Sequence, residues 1–134
     1  VPIFQGHFVC AVPKDHRLAS RSSVTADDLS NEIHIFLSPG YCPPKMDEVQ
    51  RHLQVACPEI TIYFSDSVSI TNQMILAGLG IAVMPNFVCP SDLRAIPLDT
   101  DQGIDYGIVY RQKNAPKRVT EFVRIVKTVY AENS

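Results

Sequence analysis

The chain has 134 residues, 46% of them hydrophobic and 19% charged, a composition typical of a globular protein and not of a disordered or low-complexity one. Its 12 Lys and Arg side chains against 14 Asp and Glu give a net charge of −2, which excludes the basic footprint of a nucleic-acid binder or a polybasic membrane binder. The longest nearly apolar run, residues 74–85, is shorter than the roughly 20 residues that a membrane span requires.

The first third of the chain predicts two strands joined by a short helical turn. Apolar, β-branched runs at residues 7–12 and 33–37 have the composition of strands. Between them, Thr25 is followed three residues later by Asp28, a spacing that predicts a capped helical turn.

A longer helix is predicted next, over residues 43–57, where one face is apolar. Such a stripe is typical of ordinary core packing, with a partner surface as the alternative. The stripe consists of Met46, Val49, Leu53 and Ala56.

The middle of the chain predicts a strand over residues 60–64, a helix over 70–77 and a strand over 81–84. Gly78 stands where a glycine ends a helix, and Leu79 can fold back on Met74 in a Schellman-type cap. The order of helix, Gly78-Leu79-Gly80 and strand is the reverse of a dinucleotide-binding phosphate loop.

The last third of the chain predicts one helical turn at residues 87–89, an extended segment at 93–98, a strand within 105–111 and a helix over 116–130. Because helices alternate with short apolar strands along the chain, the sequence predicts an α/β fold with a largely parallel sheet. The final helix carries an apolar face of Val119, Phe122, Val123, Val126 and Val129.

The four cysteines, at positions 10, 42, 57 and 89, form no CxxC pair and match no metal-ligand spacing. We expect free, buried or half-buried thiols and therefore a reducing, cytoplasmic compartment. Cys42 precedes a predicted helix, a position that can lower a thiol pKa. We predict no catalytic residue, no metal site and no cofactor. A small α/β enzyme that uses Cys42 or a histidine, and a solute-binding domain, are the alternatives.

Two loops combine polar groups with strand ends and helix starts. In a parallel sheet, the loops that follow two strands lie at the same edge, where ligands bind. Free N–H groups at a helix start and serine hydroxyls favour a small anion, although the same side chains can simply cap helices. The candidate residues are Ser38, Pro39, Gly40 and Tyr41 in the first loop, and Asp66, Ser67 and Ser69 in the second.

Several segments together resemble the LysR-type transcriptional regulators. Residues 8–19 resemble the family's apolar strand followed by Pro-x-x-His-Pro-Leu-Ala, with Arg17 in place of the second proline. Residues 24–29 resemble the short helix that follows. Residues 77–85, AGLGIAVMP, resemble Ala-Gly-x-Gly-Ile-Ala-x-x-Pro, the most specific of the set. The remaining segments follow in family order, so the resemblance covers nearly the whole chain.

This resemblance implies the effector-binding region of a bacterial regulator. The implied fold is a truncated, periplasmic-binding-protein-like (type II) lobe with a mostly parallel sheet flanked by helices. Residues 1–111 would form the second lobe with crossing strands at its ends, and residues 112–134 the C-terminal helix that packs on a first lobe outside this chain. The chain begins with Val and enters a strand almost at once, so we expect a piece of a longer protein.

The resemblance also implies partners and a half-site. A small, anionic effector would bind and change DNA binding, in a homo-oligomer (dimer or tetramer) that contacts DNA only through an N-terminal helix-turn-helix and contacts no membrane. By position, the family's second-lobe contacts fall on residues 38–41, with the loop before the 70–77 helix a looser match. We expect Asp66 to turn away from an anion and cap the helix.

Overall fold

The structure is a computed structural model that describes residues 2–99, 103–107 and 117–132. The chain divides into two compact units, one of residues 7–102 and the other of residues 1–6 together with 103–134. The predicted lobe boundary between residues 111 and 112 lies outside the described residues and stays a prediction.

The strands of the larger unit form a mixed arrangement. The first strand runs antiparallel to two others, and a parallel pair stands beside them. A parallel bridge between His34 and Ile81 connects the pair to the rest. The strands are β1 (Pro2–Val12), β2 (Ile33–Leu37), β3 (Thr61–Ser65), β4 (Ala82–Pro85) and β5 (Arg94–Pro97), with β1 pairing to β4 and β5, and β2 to β3. Residues 2–6 of β1 belong to the smaller unit.

The predicted α/β class is confirmed, but the expectation of a mostly parallel sheet holds only for the side that contains β2 and β3. These two strands are joined by a full helix, which provides the long crossover that parallel neighbours need. The connections from β1 to β2 and from β4 to β5 contain only 3-10 turns, Asp27–Leu29 and Asn86–Val88. β1 lies between β4 and β5 and runs antiparallel to both, so β4 and β5 run in the same direction as each other.

Two helices pack in the larger unit, α1 (Pro44–Ala56) and α2 (Val68–Leu76). The predicted stripe of α1 is buried at Met46, Val49 and Leu53, whereas Ala56 is exposed. The predicted Schellman cap of α2 is confirmed. Gly78 has φ +80, its N–H donates to Ile75 O at 2.9 Å, and the Leu79 N–H donates to Met74 O at 3.0 Å.

The predicted pairing of Thr25 with Asp28 is confirmed as a reciprocal cap. The Thr25 N–H donates to Asp28 Oδ2 at 2.9 Å, and the Asp28 N–H donates to Thr25 Oγ1 at 3.4 Å. The first of these hydrogen bonds is the main cause of the lowered pKa of the Asp28 carboxyl. Since the helical turn is only Asp27–Leu29, the cap closes a single 3-10 turn.

The core of the larger unit is formed by side chains from the sheet, from α2 and from the segment before β5. The cysteines are all free, with Cys10 and Cys57 buried and the other two half-buried, as predicted. Helices in the described part of the chain are all too short or too polar to cross a membrane. The core cluster is Val9, Ala11, Ile35, Ile75, Ala82, Met84 and Leu93.

The smaller unit contains one strand and one helix among its described residues after position 102. The strand β6 (Gly103–Gly107) pairs with β1, and the helix α3 spans Lys117–Glu132. On α3 the side chain of Val123 is buried, whereas Phe122 is 58% exposed. The predicted apolar face is therefore only partly covered.

Candidate functional site

The two candidate loops leave the sheet at the same edge. β2 and β3 are parallel and in register, with Leu37 opposite Ser65 at their carboxyl ends. The pairing continues one residue further, where the Ser38 N–H donates to Ser65 O at 2.8 Å. Strand direction and register therefore bring the start of each loop into direct contact.

Ser38 joins the two loops through its side chain as well. Its hydroxyl lies 2.9 Å from Asp66 Oδ1 and 3.2 Å from Ser65 O, both at hydrogen-bonding distance. The expectation that Asp66 caps α2 is wrong, because Ser67 does so: its Oγ accepts from the Ile70 N–H at 3.1 Å. Ser67 is extended and directly precedes the first helical residue, so its short side chain reaches that N–H.

The rest of the first loop forms a 3-10 turn, Pro39–Tyr41. The Tyr41 N–H donates to Ser38 O at 2.9 Å, and the Tyr41 side chain is 64% exposed. A Cβ placed on Gly40 would meet nothing within 4 Å, so open space lies beside the backbone at this position. This loop therefore offers an exposed phenol and an accessible main chain to a ligand.

Beneath the second loop lies a buried hydroxyl pair that our sequence analysis missed. Ser65 Oγ and Thr71 Oγ1 are 2.5 Å apart, and both lie 3.1 Å from Ser67 O. Thr71 lies about one turn after the start of α2, a position from which a side chain can face back toward the end of β3. This spacing was the signal in the sequence that could have predicted the pair. Ser69 lies exposed on the first turn of α2.

The first loop is also anchored from α1, by a residue that our sequence analysis passed over. Gln50 is buried, and its amide contacts the main chain of Leu37 on both sides. The Leu37 N–H donates to Gln50 Oε1 at 2.9 Å, and Gln50 Nε2 donates to Leu37 O at 3.2 Å. The sequence did contain a signal for this role, because Gln50 follows Met46 by one helical turn and so lies beside the apolar stripe of α1.

The thiol next to the first loop is not activated. Burial, and secondly the charge of Asp47, raise the pKa of Cys42, so the expected lowering by the helix start is wrong. Burial likewise raises the pKa of Cys57 and Cys89, and it raises that of Cys10 to about 12. The reactive thiolate form is therefore disfavoured at each cysteine.

A separate cleft of about 450 Å³ lies at the other end of β2, and none of the predicted site residues lines it. His16 and Glu32 form part of its wall. The Leu18 N–H donates to His16 Nδ1, so Nε2 carries the proton that is donated to Glu32 at 3.1 Å. In the described residues, no group of His, Cys, Asp and Glu has the arrangement of a metal site.

The chain is similar in sequence to one known protein family. The family model described as "LysR substrate binding domain" matches residues 1–131. A "Hydrogen peroxide-inducible genes activator" from Pectobacterium carotovorum subsp. carotovorum is 29% identical over 124 residues, which are 92% of this chain and 38% of that protein. The chain thus spans well under half the length of this relative.

Solved structures share the fold at low sequence identity. HinK, a LysR family transcriptional regulator from Pseudomonas aeruginosa, superposes with a TM-score of 0.77 at 16% identity, covering 100% of this chain and 48% of that one. The effector binding domain of QuiR, solved in complex with shikimate, has a TM-score of 0.68 at 15% identity and covers 99% of this chain and 65% of that one.

Proposed function

Because the chain belongs to the LysR substrate binding domain family, we propose that it binds a small organic acid as an effector, at the paired loops that follow β2 and β3. The resemblance seen in the sequence is confirmed by this family match. The named relatives are transcriptional regulators, which supports the prediction that the chain is not an enzyme. The periplasmic-binding-protein-like fold class is confirmed by the solved regulatory domains.

The observation that carries the proposal is the contact between the two loops. Ser38 and Asp66 lie 28 positions apart in sequence, yet their side chains are joined at 2.9 Å where two parallel strands end. Ligands of open α/β sheets bind at such carboxyl edges. The candidate contacts are Ser38, Pro39, Gly40, Tyr41, Asp66, Ser67 and Ser69. The structural likeness to the shikimate-bound domain of QuiR supports an effector of organic-acid type.

We propose further that these residues form one half of a site that a complete regulator closes from a second lobe. Effector binding would favour one arrangement of a homo-oligomer, a dimer or tetramer, over another, and so change its contact with DNA through an N-terminal helix-turn-helix. The division into a lobe of residues 1–111 and a C-terminal helix of residues 112–134 belongs to the same proposal.

Calorimetric titration of the chain with a set of small organic acids, shikimate among them, tests the site. Replacing Ser38 by Ala should weaken binding of any acid that binds by about tenfold, because the hydrogen bonds with which Ser38 holds the two loops together are lost. The matched control is Ser20→Ala, an exposed serine outside the site. Equal affinities of the two variants would contradict the proposed location.

In the complete regulator, Ser38→Ala should shift the effector concentration needed for a DNA-binding response and leave effector-free DNA affinity unchanged. A loss of DNA affinity without effector would mean that Ser38 acts through the fold. Peroxide sensing, which the name of the Pectobacterium relative suggests, is the second candidate function. The raised thiol pKa values favour effector binding over it.

A further inference from the structure

The charge of the candidate site is set by one side chain. Of the seven candidate residues, Asp66 alone is charged at neutral pH; the others are serines, a tyrosine, a proline and a glycine. Asp66 is exposed in the second loop, and its side chain faces the first loop, where Ser38 Oγ lies 2.9 Å from Asp66 Oδ1. Ser67, and not Asp66, makes the N-cap hydrogen bond of α2.

We infer that Asp66 determines effector specificity, by accepting a hydrogen bond from a hydroxyl or ammonium group of the effector. The inference rests on the effector site proposed above. A carboxylate accepts hydrogen bonds and donates none, so a group placed against it must itself be a donor. The effector is therefore a hydroxylated or amino-substituted monocarboxylic acid, and not a dianion such as a dicarboxylate or a phosphate.

The two ends of such an effector meet different surroundings at this site. The donor group faces Asp66. The acid group accepts from the hydroxyl of Ser67, whose oxygen accepts from the Ile70 N–H and which still has its own proton to donate, because Ser38 already directs its single proton to Asp66 or to Ser65 O. A second negative charge would be repelled by the fixed carboxylate at close range, which is the rejecting element that specificity requires.

Asp66→Asn tests this inference because the amide keeps the size of the side chain and an oxygen for Ser38. The probes are four acids. Shikimate carries hydroxyls on a six-membered ring, and cyclohexanecarboxylate has a six-membered ring without them. Alanine carries an ammonium group, and succinate carries a second carboxylate. Calorimetry measures their affinities for the intact chain. The control variant is Asp15→Asn, which changes the net charge equally at the other end of β2, in the wall of the separate cleft.

We expect shikimate or alanine to bind the unmodified chain better than the acid without a donor and the dianion. Asp66→Asn should weaken the donor-bearing acid by about tenfold or more, since a charge-assisted hydrogen bond is lost, and should strengthen succinate. Asp15→Asn should leave all affinities within about twofold, because a distant exposed charge is screened.

Two results would overturn the inference and leave the proposed function intact. One is that succinate or cyclohexanecarboxylate binds best and Ser38→Ala weakens it. The other is that Asp66→Asn changes the affinity of a bound hydroxy or amino acid no more than Asp15→Asn does. If none of the four acids binds at millimolar concentration, both the inference and the proposed acid effector are overturned. Circular dichroism of each variant verifies that the fold is retained.

Discussion

The side chain of Gln50 takes the place of a neighbouring strand beside Leu37. Further back on the same edge of β2, the main chain of Ile81 fills this role, donating to Ile33 O and accepting from the Ile35 N–H. At Leu37 both hydrogen bonds are made instead by the Gln50 amide. A residue of α1 therefore completes the sheet at the point where the first candidate loop begins.

Replacing Gln50 by Leu should lower the free energy of unfolding by about 1–2 kcal/mol, because the half-buried N–H and C=O of Leu37 both lose their partner. Urea denaturation followed by circular dichroism measures the change. The control is Gln54→Leu, one helical turn after Gln50 at an exposed position of α1. It should change the free energy of unfolding by no more than about 0.5 kcal/mol. Equal effects of the two variants would contradict the role of Gln50.

Gly80→Ala should destabilise the chain strongly. A Cβ at Gly80 would lie 2.6 Å from Ile33 O, so the parallel bridge between the two chain segments would have to shift. We expect a loss of about 1–3 kcal/mol in the free energy of unfolding, the range for overpacking a core. The matched control is Gly40→Ala, where the new methyl group meets nothing within 4 Å and stability should be retained.

The unfolding free energy should fall as the pH is lowered through the titration range of histidine. His34 is fully buried on β2, its Nε2–H donates to Leu29 O at 2.9 Å, and burial lowers its pKa from the ordinary 6.5. The unfolded chain then binds the proton more readily than the folded chain. Stability from this group is therefore complete above pH 6.5 and is lost progressively as the pH falls toward the lower folded-state pKa.

Urea denaturation at pH 7.5, 6.5 and 5.5 measures how the free energy of unfolding changes with pH. The His34→Gln variant should show a smaller change, because an amide keeps a donor for Leu29 O and does not titrate. Gln54→Ala, at an exposed position of α1, is the control and should leave the pH dependence unchanged, because it removes no titratable group. If the His34 variant retained the full pH dependence, another group would be responsible.

The thiols should react slowly with peroxide and with alkylating agents near neutral pH. With pKa values raised above the ordinary 9.0, less than about 1% of each thiol is ionised at pH 7, and Cys10, at about 12, is essentially un-ionised. Mass spectrometry after timed exposure to iodoacetamide should show slower labelling than of free cysteine in the same tube. Rapid oxidation of Cys42 by micromolar peroxide would instead favour peroxide sensing.

The chain should associate with itself through the exposed apolar side chains of α3, which include Phe122 of the predicted face and Ile125 outside it. Phe122 is 58% and Ile125 48% exposed on this helix, and large exposed apolar groups favour association. Replacing both by Ser should reduce the mass measured by light scattering at high concentration. Thr120→Ser and Thr128→Ser together serve as the polar control on the same helix. A monomeric unmodified chain at high concentration would contradict the prediction.

The sequence by itself predicted the features that depend on neighbours along the chain. The reciprocal cap of Thr25 and Asp28 and the glycine end of α2 at Gly78 follow from steric and hydrogen-bonding rules within one turn, so they could be read from spacing alone. The apolar stripe of α1 and the two parallel strands were predicted in the same way, and the ordered motifs in residues 8–19 and 77–85 indicated the family.

Only the tertiary structure decided which distant groups meet. That Ser38 contacts Asp66, that Ser67 and not Asp66 caps α2, and that Gln50 completes the sheet at Leu37 depend on strand register and helix rotation, which local pattern leaves free. The antiparallel pairing of β1 and the raised pKa of Cys42 have the same origin. The burial of a side chain and the direction in which two strands pair are decided only when the chain packs, because both depend on segments that lie far away in sequence.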